Sequence, residues 1–194
     1  YSSMYYNTSG TNNVALGKSA LQANTTASNN TAVGYQAGIA VTTGIQNTLI
    51  GSLAGDAIIA AADNVAVGFE SLSTETGGQN NVAIGPRALK AQVNSSGNIY
   101  NTAVGANAGT AITTGAQNTF VGALAGDGTD DGSQNTAVGY LALSANAADT
   151  NTAIGAFALV ACTGGDNTAV GLIAGGSVTS GSNNLFLGHD AGVT

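Results

Sequence analysis

The chain has 194 residues, three basic and ten acidic side chains, and a net charge of −7. Charged residues make up 7% of it, against ~25% in an ordinary soluble domain. Nucleic acid and anionic membranes need clustered Lys and Arg, whereas Lys18, Arg87 and Lys90 form no patch in the sequence, so neither is an expected partner. One cysteine, Cys162, excludes an intrachain disulfide, and no run reaches the ~20 apolar residues of a membrane-spanning helix.

Gly, Ala, Asn and Thr dominate, and much of the 43% apolar fraction is Ala, which buries little area per residue. That composition suits a thin core repeated along an axis better than one thick core. The repeat is visible directly. A nine-residue motif, clearest in Asn30-Thr31-Ala32-Val33-Gly34-Tyr35-Gln36-Ala37-Gly38, returns eleven times. Its first glycines are Gly17, Gly34, Gly51, Gly68, Gly85, Gly105, Gly122, Gly139, Gly155, Gly171 and Gly188. Seven steps are 17 residues, two are 16 and one is 20. With this glycine as position 0, position −4 is always asparagine: Asn13, Asn30, Asn47, Asn64, Asn81, Asn101, Asn118, Asn135, Asn151, Asn167 and Asn184. Position −1 is always Val, Ile or Leu, and position +3 is Ala except at Ser71. A short fixed period of this kind marks a solenoid.

In chain order, Tyr1-Ser2-Ser3-Met4 aligns with the residues after a motif glycine, so the chain is expected to start in mid-coil. Ala191-Gly192-Val193-Thr194 stops partway round another. Between them we expect one continuous segment over 1–194, with eleven to twelve coils of ~17 residues. The predicted class is all-β: a parallel β-solenoid with two short strands and two turns per coil. At ~4.8 Å per coil the rod would be roughly 55 Å long.

The first strand of each coil occupies −3 to −1. Alternation puts −1 and −3 on one face and −2 on the other. Because −1 is always aliphatic, it is expected to line the lumen. Position −2 is Ala in eight coils and Leu49, Phe120 or Phe186 in the rest. An apolar residue on both faces calls for burial on both. The −2 file is therefore expected to meet sister chains, with Leu49, Phe120 and Phe186 filling the axis between them. Positions +6 to +9, such as Ala23-Asn24-Thr25-Thr26 and Gly128-Thr129-Asp130-Asp131, read as a water-facing outer strand.

Position +4 alternates in pairs: Met4, Leu21, Gly38, Gly55, Leu72, Leu89, Gly109, Gly126, Leu143, Leu159, Gly175, Gly192. A duplicated four-coil block follows from it. The extra-long coil, residues 86–105, carries three additional residues near Asn94-Ser95-Ser96-Gly97-Asn98, where a small outward loop is expected. Stacked once per coil, the asparagine amides can donate and accept along the axis as a ladder. The constant glycines supply positive φ or room where backbones crowd.

Asn-Thr-Ala-Val-Gly-Tyr-x-Ala, at residues 30–38 and 135–143, resembles the repeats of phage tail-fibre-like proteins. Val82-Ala83-Ile84-Gly85 is similar to the head repeat of YadA-like trimeric autotransporter adhesins. The resemblance covers essentially the whole chain and implies a homotrimeric, left-handed parallel β-roll. It also implies an extracellular place, on a virion tail fibre or a bacterial surface, and a host glycan or protein receptor. Adhesin heads use shorter coils, which is a departure from that pattern.

Sites for chemistry are few. Leu16-Gly17-Lys18-Ser19 mimics the end of a phosphate-binding loop, but the first glycine of that motif would fall on Asn12. His189-Asp190 is the one His–carboxylate neighbour pair, and a lone histidine makes neither a triad nor a metal site. Asp127, Asp130 and Asp131 are the one acidic cluster, a weak cation candidate without EF-hand spacing. No cofactor and no enzymatic activity are expected. Cys162 reads as a small apolar filler. The leading expectation is a structural and adhesive fibre segment, the shaft of a trimeric tail-fibre-like protein, with an adhesin head as the first alternative. An ice-binding solenoid is the second: Thr fills −3 in seven coils. Against it, the file is broken by Val14, Val65, Val82 and Leu185, and the expected lumen lies on that side.

Overall fold

The computed structural model describes residues 2–94 and 96–193. It is an all-β parallel solenoid with eleven strands in a single sheet. The strands are β1 (Val14–Leu16), β2 (Thr31–Val33), β3 (Thr48–Ile50), β4 (Val65–Val67), β5 (Val82–Ile84), β6 (Thr102–Val104), β7 (Thr119–Val121), β8 (Thr136–Val138), β9 (Thr152–Ile154), β10 (Thr168–Val170) and β11 (Leu185–Leu187). Each pairs in parallel with the next, and equivalent motif positions stand opposite one another, as Ala32 does with Leu49. No helix among the described residues is long and apolar enough to cross a membrane.

The described residues form one strand per coil rather than two; the far wall contributes only an isolated bridge between Gln79 and Asn98. Extended pairing fails there because the chain keeps turning. Thr25 O, for example, accepts from Thr8 N, Ser9 N and Gly10 N at 2.9, 3.1 and 3.4 Å. A left-handed residue also recurs just before every ladder asparagine, from Asn12 (φ 57°) to Asn183 (φ 61°). The far wall is not wholly water-facing either. Its +7 residues Val41, Ile58, Glu75, Gln92, Ile112, Thr129 and Cys162 are buried.

The faces of the sheet are the reverse of those expected. Position −2 points into the coil: Ala32, Leu49, Ala66, Ala83, Ala103, Phe120, Ala137, Ala153 and Ala169 are fully buried within one chain. Positions −3 and −1 point outward and are half-buried or exposed. Alternation fixes only which residues share a face. The narrow lumen decides the rest, because it admits Ala at −2 and +3 with one larger side chain between them.

Leu49, Phe120 and Phe186 are therefore core residues, not the lining of a trimer axis. Each fills the space left by two glycines at +4. A Cβ on Gly38 or Gly55 would stand 2.6 or 2.7 Å from a Leu49 methyl carbon. Gly109 and Gly126 make the same room for Phe120, and Gly175 and Gly192 make it for Phe186. Where −2 is Ala in the same coil and the next, +4 is a buried leucine instead, as at Leu72 and Leu143. The alternation at +4 is thus a volume exchange within the core.

Two constant residues hold the stack. In all ten steps the backbone N–H of one ladder asparagine donates to Oδ1 of the asparagine one coil earlier, at 2.8–3.1 Å. Most Nδ2 groups donate to a carbonyl at the same corner, as from Asn30 to Gly44 O at 2.8 Å and Asn118 to Gly132 O at 2.9 Å. The motif glycines have φ between 115° and 142°. A Cβ on Gly122 would lie 2.6 Å from Gly139 O, so both conformation and stacking require glycine there.

Candidate functional site: the outward face of the sheet

Every strand ends in an aliphatic residue that faces out. Leu16, Val33, Ile50, Val67, Ile84, Val104, Val121, Val138, Ile154, Val170 and Leu187 form an unbroken file along the sheet. Ile50, Ile84 and Ile154 are each 38–39% exposed, and both end members far more so. Beside them runs the −3 file, Thr in seven strands and Val or Leu in four. Monomeric proteins rarely leave a contiguous apolar strip of this length open to water.

The adjoining corner, just past the motif glycine, adds exposed Tyr35, Phe69, Tyr140 and Leu172. Lys18 lies over the Tyr35 ring at 5.8 Å and Arg87 over Phe69 at 5.7 Å from the centroids. Arg87 and Lys90 both pair with Glu70, at 3.1 and 2.6 Å. These hydrogen bonds, Lys90 first, hold the Glu70 carboxyl below its ordinary range. Two of the three basic residues are thus gathered on one carboxylate, a grouping that separation by one coil hides in the sequence.

The acidic cluster read from the sequence is not a single site. Asp127 accepts from Ser144 Oγ at 2.6 Å, Asp130 from the Thr113 hydroxyl, and Asp131 faces a different groove. Among the described residues no three His, Cys, Asp or Glu side chains are placed to hold a metal ion. The groove, of about 560 Å³, is lined by Asp131, Ser133, Asp149, Asp166 and Ser182 from successive coils. The sequence reading missed this gathering of carboxylates; positions −8, −6 and −5 falling at one corner were the available signal. Two of the carboxylates brace the backbone or a neighbour: Asp149 accepts from Ser133 N at 2.8 Å and Asp166 from the Thr150 hydroxyl.

His189 and Asp190 sit 3.4 Å apart at an exposed corner. Ser19, of the phosphate-loop mimic, is buried. Cys162 is fully buried as a filler, and burial pushes its thiol up from the ordinary value. The outward bulge of the long coil is present at Val93, Ser96, Gly97 and Asn98, all exposed, while Ser95 lies outside the described residues. No protein-family model, no curated protein and no solved structure matches this chain.

Proposed function

We propose that this chain is a segment of a non-enzymatic surface fibre whose subunits pack side by side on the outward face of the sheet. The unbroken aliphatic file carries this reading. A rod repeating every ~4.8 Å presents one apolar ridge per coil, and a parallel copy of the same rod meets ridge with ridge along its full length. Each pairing removes from water a strip that a lone rod leaves wet. The resemblance of the repeats supplies the number three, and with it an extracellular shaft of the tail-fibre type or an adhesin head presenting a receptor-binding tip to a host glycan or protein. Mass measurement of the native and the denatured protein tests it. A native mass three times the chain mass is expected; a folded monomer at working concentration overturns the proposal.

A second reading draws support from the same face. With −3 outward, seven threonines stand beside the aliphatic file, interrupted by Val14, Val65, Val82 and Leu185, and the objection that they line the lumen falls. An ice-binding surface would use that array as a monomer, so the two readings compete for one face. Thermal hysteresis from a monomeric rod would favour ice binding, and its absence from a trimer would leave the fibre reading standing.

A further inference from the structure

Position +7 lines the core, and in one coil it is a carboxylate. Glu75 is fully buried, and no cation pairs with it among the described residues. Its Oε1 accepts from the backbone N–H groups of Thr76, Gly77, Gly78 and Asn94 at 2.8, 3.0, 2.7 and 3.1 Å. Its Oε2 accepts from Gln92 Nε2 at 2.8 Å and Asn94 Nδ2 at 3.4 Å. Gln92 in turn accepts from Asn101 Nδ2 at 2.9 Å, tying the cluster to the ladder. A Cβ on Gly78 would stand 2.7 Å from Oε2, so the nest closes tightly around the carboxylate.

Six donors converging on one buried carboxylate form an anion site filled from within the chain. Gln92 and Asn94 belong to the 20-residue coil, whose backbone bonds to its neighbours at Val93 and Asn94 and again at Gly97. We propose that Glu75 is an internal anionic ligand whose occupancy of this nest orders the long coil and fixes where its outward bulge begins. In its absence the donors of two coils face a dry interior without an acceptor, and the bulge loses its anchor.

Site-resolved hydrogen exchange on the full chain tests this, with Glu75→Gln as the variant and Asp131→Asn, exposed and outside the long coil, as the surface control. Glu75→Gln keeps the shape but sets an NH2 group against donors. The amides of Thr76, Gly77, Gly78 and Asn94 should exchange about tenfold faster or more, with those of Asn118 and Asn135 unchanged. Exchange at the four amides equal to wild type overturns the proposal. If Glu75→Gln loses its strand signal altogether, Glu75→Ala is compared with and without sodium acetate. Recovery of the strand signal by acetate supports an anion site; no recovery overturns it.

Discussion

Phe120 occupies the room that Gly109 leaves: a Cβ on that glycine would lie 2.7 Å from Phe120 Cδ2. Gly126 borders the same ring from the other coil. Phe120→Ala should cost about 3–5 kcal/mol in urea unfolding, as expected for a fully buried aromatic ring. Combining Phe120→Ala with Gly109→Leu and Gly126→Leu recreates the arrangement around Leu72 and Leu89. Those leucines take φ of 51° and 49° at the same position, so the backbone accepts the change. The triple variant should be more stable than the summed single effects, and simple additivity would refute the volume exchange.

The asparagine ladder makes a second, sharper demand. Asn118 Oδ1 accepts from Asn135 N at 2.8 Å while its Nδ2 donates to Gly132 O. Asn118→Ala leaves both partners unpaired in a dry corner, a loss of about 2–4 kcal/mol. Thr43→Ala, at an exposed position outside the left-handed residues, should change stability by no more than about 0.5 kcal/mol. Equal losses in the two variants would mean that the ladder contributes no more than a surface residue.

Charge placed on the outward face separates assembly from folding. Val104→Lys with Val138→Lys alters two half-buried members of the aliphatic file. Strand content by circular dichroism should persist, because −1 is outside the core, while sedimentation shifts from the proposed trimer to monomer. Unfolding of the single chain at these positions would contradict the outward placement.

Asp56 gives a pH dependence with a definite sign. Burial, first among the causes, raises its carboxyl above the ordinary value, and Oδ1 is buried without a partner among the described residues. The folded state thus holds its proton to higher pH than the unfolded state does. Stability from this group is present below the ordinary carboxylate value and is lost as pH rises through the raised one. Asp56→Asn should therefore raise the melting temperature at neutral pH, with the gain shrinking toward zero in acid.

Cys162 offers a check on the lumen itself. Its thiol is buried and raised by desolvation, so alkylation by iodoacetamide should be slow in the native protein and fast in urea. Rapid native labelling would mean that this stretch of the core is open.

The sequence alone determined the period, the parallel stacking, the asparagine ladder and the constant glycines. Each of these rests on a feature that recurs in every coil, so the chain supplies its own comparison. Only the tertiary structure decided which face of each strand looks inward. Alternation relates −3, −2 and −1 to one another but carries no sign, and the larger aliphatics at −1 were the natural choice for a core. The lumen proved narrow, closed by backbone turns with positive φ, and it takes alanine at −2 with its larger side chains shared between −2 and +4. The pairing of Phe120 with Gly109 and Gly126, and the six donors around Glu75, likewise depend on contacts between coils that no single repeat records.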